Sequence, residues 1–242
     1  MSRMFKSIDE TWNVFVGCKF DCTYCNARKA ALTRLKHCPR YKDGFKPHLV
    51  ESELKRTFKP GQFIFIAYMG DIAFCKVTDF ALIIERVRAF PLTNFLLQTK
   101  DPSCWARWGF SIPPNVNLGT TIETNRDYCL SQAPPPIERW CDLLRVKHPH
   151  KFISIEPIMD FDLEALLLWM RSIEPEIIEV GADNYHNHLP EPSGEKLCAL
   201  LDNLRDICPN VIEKDGLDRL KREGELMSSI IRDKRNDRPP LY

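Results

Sequence analysis

The 242-residue sequence has no apolar run of the length needed to cross a bilayer, so no membrane-spanning helix and no membrane partner are expected. Residues 1–10 lack the apolar core of a secretory signal, which leads to an expected cytoplasmic location. There is no excess of either charge: 34 Lys and Arg against 33 Asp and Glu leave a formal net charge of +1. That total gives no indication of a nucleic-acid or membrane-surface partner, although it does not exclude a local basic patch. No low-complexity segment is present. Cysteine is not scarce, with ten in the chain. In a chain of this size without an export core, reduced thiols are expected over a disulfide framework.

What is there is ordinary globular material, 44% apolar and 28% charged, in a length that suits one domain of α/β-barrel size or two small ones. Short β-branched and aromatic runs alternate with stretches of good helix formers. Strands are expected over residues 11–16 (TWNVFV), 63–69 (FIFIAYM), 94–98 (NFLLQ), 116–122 (VNLGTTI), 151–155 (KFISI), 176–180 (EIIEV) and, briefly, 210–213. Helices are expected over 26–36, 78–88, 103–108, 136–146, 162–173 and 193–207. Near-continuous apolar strands separated by helices imply parallel pairing, buried faces and right-handed crossovers. Polar residues recur at the carboxyl ends of successive strands, where they would meet around a barrel mouth but spread along the edge of an open sheet. The expected fold is therefore α/β, a partial (β/α)6 TIM-type barrel of parallel strands over residues 1–214. Residues 215–242 read as a charged C-terminal helix and tail.

Cys18, Cys22 and Cys25 fall within eight residues at the spacing C-x3-C-x2-C, directly after the first strand. Thiolates this close can converge on one metal centre from a single loop, but three are one short of the four that close a zinc or ordinary iron–sulfur site. Three readings of the spacing stand side by side. A three-thiolate iron–sulfur cluster would leave one iron open to a small ligand. A zinc site would be completed by His37 or Cys38 and would make the loop part of a structural binding module. Unligated thiols are the third. The other six cysteines are scattered and read as core or surface thiols.

The cysteine spacing, with Tyr24 before the last cysteine and a first strand before the loop, resembles the cluster loop of the radical SAM enzymes. Met69-Gly70-Asp71 is similar to that superfamily's Gly-Gly-Glu segment, which holds the amino group of S-adenosylmethionine (AdoMet). Here Met69 stands for the first glycine, and the acid is one carbon shorter. More narrowly, residues 11–13, 97–100, 118–125 and 154–158 resemble the phage-protein branch of the superfamily known as DUF5131. Residues 118–125 and 136–139 also resemble spore photoproduct lyases. The resemblance covers roughly residues 11–185.

It implies a [4Fe–4S] cluster on Cys18, Cys22 and Cys25, and AdoMet chelating the open iron. Reductive cleavage would then give a 5′-deoxyadenosyl radical that takes hydrogen from an unidentified substrate. The electron would come from a reductant such as flavodoxin or ferredoxin. An electron-transfer iron–sulfur protein is the alternative that shares the cluster. Asp71 is the candidate to face the AdoMet ammonium, with a helix cap as its rival role. Gly70 would allow close backbone approach to the cofactor, and Tyr24 would flank the cluster or adenine. Glu123 and Asn125 are candidates for ribose hydroxyls. Lys100 and Glu156 are candidate catalytic residues, with Lys100 or Arg139 as the expected partner of Glu156.

Overall fold

The computed structural model describes residues 5–109 and 111–222. Strands β1 (Glu10–Trp12), β4 (Phe63–Ile66), β5 (Asn94–Gln98), β6 (Val116–Thr121), β7 (Lys151–Ile155), β8 (Ile177–Val180) and β9 (Asn210–Glu213) pair in that order. Every pairing in this sheet is parallel. Helices α1 (Asn26–Leu32), α2 (Val77–Arg88), α3 (Cys104–Trp108), α4 (Pro136–Arg145), α5 (Leu163–Ile173) and α6 (Gly194–Ile207) fill the crossovers. The expected six strand–helix units are thus present, followed by a seventh strand. None of these helices is long and apolar enough to cross a membrane.

The sheet is curled. The Phe5 ring lies 5.3 Å from that of Phe65 on β4 and 5.1 Å from that of Phe152 on β7. Those two rings are therefore at most about 10 Å apart, although three strand spacings in a flat sheet span about 14 Å. Successive side chains along each strand alternate between the two faces. Ile64, Ile66, Phe95, Leu97, Val116 and Leu118 face outward into one apolar cluster with α2 and α3. Ile153, Ile155, Ile178 and Val180 face a second one with α5 and α6. Phe65, Leu96 and Phe152 point into the concave side, where Phe5 and Ile8 complete a small apolar floor. Leu217 and Leu220, in a helical turn that starts at residue 217, pack into the α5–α6 cluster. The part of the expected charged tail beyond residue 222 lies outside the described residues.

Two expected strands break where the backbone demands it. Residues 11–16 divide at Asn13, whose side-chain oxygen accepts the Met69 N–H at 2.9 Å. β2 (Phe15–Val16) then leaves the main sheet and pairs antiparallel with β3 (His48–Leu49). β4 stops at Ile66 because Ala67 takes a left-handed conformation, φ +61°. Helix α1 ends four residues sooner than expected, where the Thr33 hydroxyl bonds back to the Lys29 carbonyl at 2.6 Å.

The turn after β2 is set by glycine. Gly17 (φ +86°) donates to the Met69 carbonyl at 2.9 Å, and its own carbonyl accepts the Asp71 N–H at 3.1 Å. A Cβ on Gly17 would lie 2.3 Å from the Lys46 carbonyl oxygen. A Cβ on Gly70 would meet the Gly17 backbone at 2.9 Å, so the close approach Gly70 permits is to Gly17. Gly61 (φ +79°) has open space around it. Gly61→Ala should therefore cost about 1–2 kcal/mol, the left-handed penalty alone. Gly17→Ala should cost at least twice as much, because backbone must move as well. Urea denaturation followed by far-UV circular dichroism measures both, and equal losses would contradict the packing described.

A cavity at the carboxyl end of the sheet

The alternation that puts Leu96 and Phe152 on the concave floor puts Gln98 and Ser154 one layer above them, with Thr121 beside, and Glu156 one step further, just past the end of β7. They line a cavity of about 630 Å³ at the carboxyl ends of the strands. The cysteine loop forms one wall, with Cys18, Cys22, Tyr24 and Cys25, and Gly70, Asp71 and Lys100 line the cavity beside it. The opposite wall carries Asp183, Asn184, Tyr185, Asn187 and Lys214.

The loop is tied down at several points. The Thr23 N–H donates to the Leu130 carbonyl at 3.0 Å and Gln132 N–H to the Phe20 carbonyl at 2.6 Å. Cys25 is the N-cap of α1, its sulfur accepting the Arg28 N–H at 3.4 Å. The Cys18 sulfur accepts the Phe20 N–H at 3.4 Å, and Cys22 lies 3.1 Å from the Ser131 hydroxyl. Turned this way, the sulfurs are not gathered on one point. Among the described residues no three His, Cys, Asp or Glu side chains are grouped as a metal-ion site. The thiols do share one cavity and act on one another electrostatically. Burial pushes the Cys18 thiol up, with the nearby Asp71 carboxylate and the other two sulfurs adding to it, and burial also raises Cys25. Cys38 packs instead among Val16, Ala31, Tyr41 and Met69, away from the cavity.

A buried polar network stands behind this wall. The Tyr24 hydroxyl donates to Glu123 Oε1 at 2.5 Å, and Lys100 Nζ donates to the Tyr24 oxygen at 2.7 Å and pairs with Glu123 Oε1. Arg139 Nη1 holds Glu123 Oε2 at 2.8 Å and the Thr121 carbonyl at 3.1 Å. Burial opposes the Glu123 charge, but Lys100 and Arg139 prevail and hold its carboxyl at about 2. Burial likewise opposes the Lys100 ammonium, and Glu123 and Tyr24 raise it. Glu123 is therefore a buried counter-ion behind Tyr24 and Lys100, not itself a lining residue. An ammonium has three hydrogens, and Lys100 has two of them committed, which leaves one for a ligand.

Asp71 both caps a turn and lines the cavity. Its carboxylate caps the short turn at Ile72–Phe74 through the Ala73 N–H at 3.0 Å. It also accepts the Thr99 hydroxyl at 2.6 Å and the Lys100 N–H at 3.0 Å. Burial raises its carboxyl against those three bonds.

Glu156 lines the cavity over Gly181, where any Cβ would touch its carboxyl at 2.7 Å. Its partner is Lys214 at the end of β9, not the expected Lys100 or Arg139. Burial raises the Glu156 carboxyl, and Lys214 opposes the rise. Asn125 is not in the cavity. Its side chain accepts the Asp162 N–H at 2.8 Å and donates to the Asp162 carboxylate on the outer rim.

Lys214 and Gln98 are among the lining residues absent from the sequence-based candidates. Lys214 comes after a short strand with no motif to mark it. Gln98 lies in the segment 97–100, and its inward position is set by strand parity with Leu96. Its Nε2 donates to the Thr121 hydroxyl at 2.7 Å, while Oε1 is buried with no partner. An orphaned acceptor on a cavity wall fits a bound group that brings a donor.

Residues 4–184 match the model of a family described as "Protein of unknown function (DUF5131)". No curated protein matches the chain. Among solved structures, the fold is similar to spore photoproduct lyase complexed with dinucleoside spore photoproduct. That match has a TM-score of 0.61 at 9% identity, over 88% of this chain and 78% of that one. A double mutant of the same enzyme with bound AdoMet and dinucleoside spore photoproduct is similar over the same shares, with a TM-score of 0.61 at 10% identity. At such identities the likeness is one of fold.

Glu123→Gln keeps the shape of the buried network and leaves Lys100 and Arg139 without their counter-charge. It should destabilise the protein by about 3–5 kcal/mol at neutral pH. Glu123 has a depressed carboxyl, so its contribution is fully present above about pH 4.5 and fades as the pH falls towards about 2. The gap between wild type and variant in chemical denaturation should therefore narrow over that window. A gap independent of pH would mean that shape, not charge, holds the network.

Proposed function

We propose that this chain, which belongs to the DUF5131 family, is a radical SAM enzyme. The observation that carries the proposal is that the three cysteines of C-x3-C-x2-C line the same cavity as Asp71, Gln98, Lys100 and Glu156. The donor set fits a [4Fe–4S] cluster: three soft sulfur ligands on one loop and none at a fourth position. It fits a closed zinc site less well, because Cys38 packs in an apolar cluster away from them. When bound, the cluster and AdoMet would supply one-electron cleavage of a C–S bond and removal of a hydrogen atom from a substrate.

The chain's own residues would do the rest. Asp71 presents a negative charge near Cys18, where it lowers the cost of bringing an ammonium into a partly dry cavity. The free Oε1 of Gln98 accepts one further hydrogen bond. Lys100, fixed by Glu123 and Tyr24, directs its remaining N–H at a carboxylate or hydroxyl. Glu156 and Lys214 present a carboxylate and an ammonium on the far side, where a substrate would sit. The strand-end loops limit water around a reactive centre. A one-electron reductant such as flavodoxin or ferredoxin completes the reaction.

Cys18→Ala, Cys22→Ala and Cys25→Ala should each abolish the visible absorbance of anaerobically reconstituted protein and the formation of 5′-deoxyadenosine from AdoMet. Cys38→Ala should leave both intact. Loss of metal in the Cys38 variant would point to a closed four-ligand site and against the proposal. Absorbance without 5′-deoxyadenosine would leave an electron-transfer protein.

Gln98→Leu should keep the iron content and weaken AdoMet binding by about 1 kcal/mol, the worth of one hydrogen bond. Titration of AdoMet into the two reconstituted proteins measures this. Equal affinities would show that the orphaned oxygen faces something other than the cofactor.

A further inference from the structure

Residues 19–48 carry eight Lys and Arg against two Asp, a net +6 in a chain whose total is only +1. Arg28 is paired with Asp21 and Arg40 with Glu53. The other six are Lys19, Lys29, Arg34, Lys36, Lys42 and Lys46. All six are exposed, and none has a carboxylate partner among the described residues. Elsewhere cations such as Arg126, Lys196, Arg205 and Lys221 face carboxylates. The bland reading of a charge run is a solvated face, but a solvated face is ordinarily mixed in sign.

The location of this run gives it meaning, because it is the segment that builds the cysteine side of the cavity. Lys19 lies between the lining residues Cys18 and Phe20. Lys29 is on α1, whose first residues Asn26 and Ala27 are lining residues. Lys46 comes directly after the lining residue Phe45, and its carbonyl packs on Gly17. Arg34 is near enough to act on the Tyr68 phenol inside the cavity. A row of unneutralised cations beside the opening of a deep site attracts a polyanion. Aromatic rings also line the cavity: Phe45 and Tyr68 on this side, and on the opposite wall Tyr185, which is 57% exposed. Cations that track a backbone, with rings for bases to stack on, are the features of a single-strand binding surface. An apolar floor closes the cavity, whose 630 Å³ is room for a base turned out of its stack and too little for a duplex.

We propose that the rim formed by residues 19–48 binds the sugar–phosphate backbone of a single-stranded nucleic acid and places one of its bases in the cavity. This names the substrate class of the site assigned above, and it rests on that reading only for the chemistry performed once the base is inside.

The test is fluorescence anisotropy of labelled 20-nucleotide RNA and DNA strands and of the matching duplex. It uses the full chain without cluster or AdoMet, over a series of salt concentrations. A single strand should bind, with affinity falling steeply with salt. Lys19→Ala/Lys29→Ala/Lys46→Ala should weaken binding at least tenfold and reduce the salt slope by about two, at roughly 0.7 for each phosphate of a single strand that is no longer neutralised. Lys59→Ala/Lys147→Ala/Arg171→Ala removes the same charge away from the opening and should leave binding unchanged. Tyr185→Ala should weaken binding without altering the slope. Preference for the RNA or the DNA strand would identify the polymer, and either supports the proposal. Duplex bound as tightly as single strand, equal losses in the two triple variants, or no binding would each overturn it. Because no cofactor is present, failure here leaves the 5′-deoxyadenosine assay untouched as the test of the radical reading.

Discussion

The carboxylate of Glu123 is the group on which the arrangement of the cavity depends. One oxygen takes the Tyr24 hydroxyl and the Lys100 ammonium, and the other takes Arg139. Those four residues come from the cysteine loop, the end of β5, the end of β6 and helix α4, so a single ion joins four parts of the chain. A buried charge is costly unless its partners have good geometry. The geometry is therefore fixed, and with it the position of the loop that carries Cys22 and Cys25. Ser131 and the backbone of Leu130 hold the same loop from the segment after β6. The thiols sit on a braced loop, although their side chains are held by local N–H and hydroxyl groups.

The second constraint is strand parity. A curled parallel sheet gives each strand one inward side chain per layer, and here the layers differ in kind. Phe65, Leu96 and Phe152 close the floor with Phe5 and Ile8. Gln98, Ser154 and Glu156 lie further along their strands and face the cavity. The change from apolar to polar within two residues divides packing from chemistry, because a floor that excludes water lies next to groups that need partners. Glu179 on β8 is a fully buried acid in register with Ser154, and the Lys6 and Ser7 N–H groups, at 3.1 and 2.9 Å, bond to its carboxylate.

Much of this was legible in the sequence, and the residues show why. Apolar strands alternating with capped helices imply parallel β, and the six units lie within a few residues of where the periodicity puts them. The cysteine spacing marks the loop, and Asp71 and Lys100 stand out as early polar residues after buried strands. Pairing was not legible. Glu156 meets Lys214, fifty-eight residues away, and nothing local distinguishes that lysine from its neighbours. Asn125 comes after a strand end as Glu123 does, yet it turns outward to bind Asp162. The break at Asn13 was hidden because its cause is a hydrogen bond to Met69, made only after folding. Gln98 could have been found by counting inward positions from Leu96.

The floor of the cavity has a consequence for how the chain acquires its shape. Ser7 bonds to Glu179 across 172 residues, and Phe5 rests on a ring from β7. Residues 5–8 are thus among the last to find their place, since they must wait for nearly the whole sheet. Long-range closure of this kind carries a high entropic cost before any contact rewards it. Until β8 is made, the concave side of the sheet stays open, and Leu96 and Phe152 are exposed on a surface with unpaired strand edges. Without residues 5–8 in place the sheet would present an apolar concave surface that invites association with other chains, and their docking covers it.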